Sequence, residues 1–255
     1  VEPEAMRLEE RFIQHPALAI EQSRLTINAM AEEAKRNFVE AVALLHGYSN
    51  EQFKLVEDLE NSVDRYEDKL GTYLVKVTER EMTVKQNAEV SKFLHTISDF
   101  ERISDHALNI AEAAKELHEK NLSFSEAAAH ELEVMEAALT EILSTAIRSF
   151  VNNDLQLAAR VEPLEELIDN LCDEMKLHHV DRLQKGHCTL LNGFLFNDLL
   201  TNYERVADHC SNIAVALIEL ESDSFDTHEY LNSLKELKSD MYERYYEEYR
   251  RIYQL

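Results

Sequence analysis

Apolar residues recur along this chain at helical spacing, which gathers them into one stripe per helix. A polar, charged lead-in ends at Pro16, and the first helical stretch runs from about Ala17 to Leu45, with Gly47 in its C-cap region. A second begins at Ser49-Asn50-Glu51 and reaches about Thr78. Gly71 lies inside it, at a cost of about 1 kcal/mol relative to Ala. A third covers about Thr83 to Glu119 and is followed by "KNLSFS", where Ser123 or Ser125 supplies the next N-cap. The pattern then restarts. Helices are expected from about Ser125 to Val151, Asp154 to Gln184 and Cys188 to Leu220, with a last one from about Thr227 to Tyr253. Pro163 lies beyond the expected first turn of the fifth, which predicts a kink or break there. The fold class is therefore all-α, with two tandem three-helix bundles and an additional C-terminal helix. The expected units are a lead-in over 1–16, bundles over 17–122 and 123–221, and the C-terminal helix over 222–255.

The two triplets repeat one another. "ERISDHALNIAEA" starts at Glu101 and "ERVADHCSNIAVA" at Glu204, an offset of 103 residues, with Glu-Arg, Asp-His and Asn-Ile-Ala in the same register. The second helices repeat more weakly. "VEDLENSVDRYED" from Val56 and "VEPLEELIDNLCD" from Val161 align Glu60 with Glu165, Asp64 with Asp169 and Asp68 with Asp173 at an offset of 105. Two motifs in one order at nearly equal offsets indicate an internal duplication.

A helix turns by about 100° per residue, so Glu101 and Asp105 lie about 40° apart on one face. The apolar stripe Ile103, Ala107, Ile110, Ala114 and Leu117 lies nearly opposite. Glu204 and Asp208 stand the same way against Val206, Ile213 and Leu217. Asn109 continues the acidic stripe of the first copy. Glu60 with Asp64, and Glu165 with Asp169, sit one turn apart on the neighbouring helices. Each bundle thus turns two acidic pairs away from its own core, towards solvent, another domain or a ligand. Acidic pairs on helices are ordinarily solvated faces, and Arg102 and Arg205 could tie them into a purely structural network. The duplication favours more than that. Ser104, Ala107 and Leu108 became Ala207, Cys210 and Ser211 in the second copy, while Glu, Asp and Asn held. Crowded carboxylates suit a hard or borderline cation such as Fe, Mn, Mg or Ca, whereas a soft site would show cysteine. His106 and His209 point about 100° from the adjacent aspartates and are not expected as ligands.

Composition narrows the picture. Four glycines and three prolines are too few for the turns of a β-rich chain. The formal charge of −24 argues against nucleic acid, whose phosphates need a basic stripe, and against docking on anionic lipid. Cys172, Cys188 and Cys210 form no close pair motif and fit a reducing compartment. No apolar run approaches the roughly 20 residues of a membrane span, and there is no signal-peptide pattern. The chain begins with Val1 rather than Met, as an excised fragment or a processed product would, which leaves room for a membrane part upstream. The last helix is striped with Tyr242, Tyr245, Tyr246, Tyr249 and Tyr253. It is expected to pack on the bundles, with contact to a partner or a second copy of the chain as the alternative.

The doubled sentence on the third helices closely resembles the PhoU family. That resemblance implies two three-helix bundles, a role in phosphate regulation, and multinuclear iron or other metal clusters on the surface. The family's motif, an acid, three residues, then Asp, matches Glu101 with Asp105 and Glu204 with Asp208. It matches Glu60 with Asp64 and Glu165 with Asp169 less strongly. The Asp-Leu-Arg usual upstream of the first signature is missing, and "NAEVSKFLHTISDF" stands there. The lead-in "LEERFIQHPALAIEQ" and the Tyr-rich helix are similar to the cytoplasmic C-terminal domain of bacterial sodium/phosphate cotransporters of the type II-related family. The narrower resemblance implies an upstream membrane transporter domain and a place at the cytoplasmic face of the inner membrane. The alternatives are a free-standing PhoU-type regulator of a phosphate transporter and a metal-free helical adaptor. An enzyme is not expected. None of the eleven histidines has Glu three residues before it, as a ferritin-like site requires, and no phosphate loop or Gly-x-Ser-x-Gly is present.

Overall fold

Hydroxyl side chains open four of the long helices, Thr189 Oγ1 accepting from the amide of Asn192 in one of them. Ser49 Oγ accepts from the amide of Gln52, Ser125 Oγ accepts from Ala128, and Thr83 exchanges two hydrogen bonds with Gln86 in a capping box. The structure, a computed structural model, describes residues 8–222 and 228–255. A 3-10 turn, Glu10–Gln14, precedes eight helices: α1 (Pro16–His46), α2 (Asn50–Thr78), α3 (Val84–Glu119), α4 (Glu126–Asn152), α5 (Leu155–Ala158), α6 (Val161–Gln184), α7 (Leu190–Ser222) and α8 (His228–Ile252). No strand occurs among the described residues. Residues 1–7 of the expected lead-in and the expected start of the last helix at Thr227 lie outside them.

Three helices end in the same way. Leu122 N donates to Leu117 O and Asn121 N to His118 O, with Asn121 at φ 51°. Asn153 (φ 52°) and Gly186 (φ 71°) close α4 and α6 with the same pair of bonds. These are Schellman turns, which satisfy the last carbonyls of a helix and need a residue tolerant of the left-handed region.

The expected fifth helix is two. It breaks at Ala159–Arg160, and Pro163 is the third residue of α6. There its missing N–H is one that a first turn leaves unbonded anyway, so it introduces no kink. Arg160 is turned onto α8, with its guanidinium 4.2 Å from the Tyr245 ring centroid and 3.7 Å from Glu248. The sixth expected helix begins at Leu190 rather than Cys188. Gly71 leaves α2 unbroken.

Helices α1, α2 and α3 pack as one bundle, and α4, α6 and α7 as a second. Ile103, Ala107, Ile110, Ala114 and Leu117 are buried, as are Val206, Ile213 and Leu217. The bundles share one continuous apolar core because α3 lies against α7 and α1 touches α4. Phe38 of α1 meets Tyr203 of α7 edge-on at 6.5 Å. Tyr203 also donates to Glu136 of α4, whose other oxygen lies 2.8 Å from His46 of α1. Helix α8 packs on α6, with Tyr249 and Tyr253 buried, Tyr242 donating to Glu166, and Asn170 donating to Tyr246.

The seam between α3 and α7 uses the repeated sentence. His106 Nδ1 lies 3.0 Å from Asn202 Oδ1, and Asn109 donates to the same oxygen at 3.1 Å. His209 Nδ1 lies 3.0 Å from Asp99 Oδ1, and Asn212 donates to it at 3.3 Å. Residues 99 and 202 are themselves one offset of 103 apart, so each copy's His and Asn grip the other copy's counterpart. The two imidazoles stack at 5.5 Å across the approximate twofold.

Candidate metal centres

The stripes of α2 and α3 bring five carboxylates together. Oxygens of Glu60, Glu101 and Asp105 all lie within 4.8 Å of one another, and so do those of Asp64, Glu67 and Glu101. Glu101 belongs to both groups. In the second bundle, Glu165, Asp169 and Asp208 converge within the same limit. The ligand atoms are partly shielded from water: Asp64 and Asp208 are exposed, and the other residues are of intermediate exposure.

Shielding and crowding both penalise charge here. Burial, then the neighbouring Asp105, pushes the Glu60 carboxyl up to about 7. Burial and the hydrogen bond to Asp105 push Glu101 up to about 8. Burial, followed by Asp169 and Asp208, pushes Glu165 up to about 9. Glu67 and Asp169 are raised too, chiefly by burial. Such groups either keep a proton or share a cation. The donor set fits a hard cation, because every converging atom is a carboxylate oxygen. Glu101, common to two groups, would bridge neighbouring ions.

Seven of the eight residues singled out from sequence enter these groups, and Glu204 does not. Its oxygens lie 3.1 and 3.3 Å from Lys176 Nζ. Asn109 and its repeat Asn212 leave the acidic face for the seam, where His106 and His209, not expected as ligands, also stand. Glu67 was missed. It sits one turn past Asp64 on the same face, but Cys172 occupies its place in the second copy, so an argument from repetition passes over it.

The same duplication is visible to comparison with known proteins. A family model described as the PhoU domain matches residues 27–114 and again residues 132–217. The chain belongs to the PhoU domain family. The phosphate-specific transport system accessory protein PhoU homolog 1 of Thermotoga maritima is 27% identical over 139 residues, 54% of this chain. That match spans 59% of the Thermotoga protein. The PhoU homolog of Streptococcus pneumoniae serotype 4 is 22% identical over 209 residues, covering 80% of this chain and 92% of the relative. The crystal structure of PhoU from Pseudomonas aeruginosa superposes with a TM-score of 0.74 at 19% identity, over 82% of this chain and 98% of that one. The phosphate transport system regulatory protein PhoU from Streptococcus pneumoniae gives 0.73 at 18% identity, with the same coverages. At those identities the structures show that the PhoU fold is shared. These relatives are PhoU proteins rather than cotransporter domains, so they do not support the narrower resemblance to a sodium/phosphate cotransporter. No described helix is long and apolar enough to cross a membrane.

Proposed function

We propose that this chain is a PhoU-type regulator that acts with a phosphate transport system and carries metal on the outer faces of its two bundles. The relatives named for phosphate-specific transport support the first part. The observation that carries the second is the convergence of carboxylates from two helices in each bundle, on faces turned from the core. A bound hard cation would supply positive charge to these groups and an open position for a phosphate oxygen, which carboxylates alone would repel. The acids of each bundle hold and space such ions, and the seam fixes one bundle on the other. We read the chain as a binding and interaction protein rather than an enzyme. The reading as a cotransporter domain rested on the lead-in and the Tyr-rich helix. Tyr249 and Tyr253 of that helix are spent on intramolecular packing, so we place the PhoU-type regulator first.

Elemental analysis tests the metal. The protein is purified without a metal-affinity tag, beside a variant carrying Glu101→Ala, Asp105→Ala, Glu204→Ala and Asp208→Ala. Several metal atoms per chain, lost in the variant, are expected. A metal-free wild type with intact helical content would leave the doubled acids as a scaffold feature that serves a partner.

A further inference from the structure

The positions that fail to repeat distinguish the two clusters. In the register that aligns Glu60 with Glu165 and Asp64 with Asp169, Glu67 meets Cys172 and Gly71 meets Lys176. Cys172 is fully buried, and burial raises its thiol far above the usual range, so it brings no charge to the second cluster. Lys176 brings a positive one and holds both oxygens of Glu204. The first bundle has only a glycine hydrogen at that place, and there Glu101 joins its neighbouring carboxylates instead. Arg102 and Arg205 occupy matching positions in sequence, but the charge of Arg102 reaches Glu67 whereas that of Arg205 reaches His106 at the seam. The first cluster therefore holds Glu60, Asp64, Glu67, Glu101 and Asp105. The second holds Glu165, Asp169 and Asp208, with Glu204 beside them on the ammonium of Lys176. Counted over these carboxylates and Lys176 alone, the two sets differ by two formal charges.

We propose that Lys176 is a resident counter-cation that draws Glu204 out of the second centre, so that the two bundles take up metal in sequence, the first before the second. The inference rests on the metal-binding reading above. A unit charge a few ångströms from a divalent ion shifts its affinity by about tenfold even at the dielectric constant of water. The lysine stem is flexible and its side chain is 38% exposed, so the ammonium can leave without disturbing the core. At a cation level that fills the first centre, Glu204 remains on Lys176. At a higher level the ammonium swings into water and Glu204 completes the second centre.

The test is a titration of the chelator-treated full chain with Mn2+ alone, counting free ion by electron paramagnetic resonance. The wild type should show two classes of site at least about tenfold apart. Asp105→Asn should remove the tighter class. Lys176→Gln should tighten the weaker class by about tenfold and leave the tighter one in place. Lys176→Arg, which keeps the charge, should preserve two separated classes. Equal affinities in the wild type would overturn the inference, as would a weaker class that ignores Lys176→Gln, and either would leave metal binding itself standing. Absence of Mn2+ uptake in every form would overturn both. Far-UV circular dichroism confirms the fold of each variant, and Lys176→Met serves in place of the Gln form should that one be poorly folded.

Discussion

At the seam, His106 reaches Asn202 while His209 reaches Asp99; on the outer faces, Glu101 meets carboxylates while Glu204 meets Lys176. The seam residues of one copy are answerable to those of the other, because each hydrogen bond spans both bundles. The outer acids are answerable only to neighbours in their own bundle. The hydrogen-bonded residues between α3 and α7 consequently retain His and Asn in both copies and differ among themselves by the near-isosteric exchange of Asp99 for Asn202. The faces have parted further, by a carboxylate lost at Cys172 and an ammonium gained at Lys176.

The strongest challenge to that separation is to open the seam and ask whether the faces notice. Phe38→Ala removes a fully buried ring that packs against Tyr203 of the other bundle. It should cost about 3–5 kcal/mol in urea unfolding, while the folded fraction keeps its Mn2+ uptake. Uptake that falls with stability would show the faces to be governed by the seam.

A finer contrast lies within the seam. His209→Ala leaves Asp99, a carboxylate with a 13% exposed side chain, without its imidazole, and should cost about 2–3 kcal/mol. His106→Ala leaves the neutral Asn202 and should cost about 1 kcal/mol. Burial holds the pKa of His106 below the ordinary histidine value, so the second loss involves an uncharged ring. Equal losses in denaturant titrations would mean that the Asp/Asn difference carries no energy.

The faces can be probed by pH in the metal-free protein. Glu60, Glu101 and Glu165 keep their protons up to about 7, 8 and 9 in the folded chain. In the unfolded chain a glutamate gives up its proton near about 4.3. Between those limits the unfolded state binds fewer protons, so stability is full below the unfolded value and declines as pH rises to the folded ones. Calorimetry in chelator should therefore give a lower Tm at pH 9 than at pH 5.5, and Mn2+ should restore it at pH 8. A Tm that holds level or climbs over this span would place the acids in open water. The smallest effect is expected from Asn109→Ala, which removes one exposed seam hydrogen bond and should cost under about 1 kcal/mol without changing Mn2+ binding.

Much of this was legible in the sequence, for identifiable reasons. Long helices announce themselves through apolar spacing, and Ser49, Thr83 and Ser125 mark their starts. The acidic faces were found because they repeat. The break expected at Pro163 falls three residues earlier, at Ala159–Arg160, and its exact place was not legible because Arg160 finds its partners on α8, far along the chain. The roles of His106, His209, Asn109 and Asn212 were hidden because a helical wheel shows which way a residue points but not what stands there. Glu67 and Lys176 escaped because repetition reveals only what the copies have in common.

The tight turn at Asn121, which joins α3 towards α4 as one chain, bears on how such a pair of halves can change over time. Two separate copies meeting at a twofold axis would carry every substitution twice and would come apart on dilution. Tethered by a few residues, the halves meet at a high effective concentration whatever the protein's abundance. A lysine can then enter one half while the other keeps glycine, and a single gene can hold two centres tuned to different cation levels.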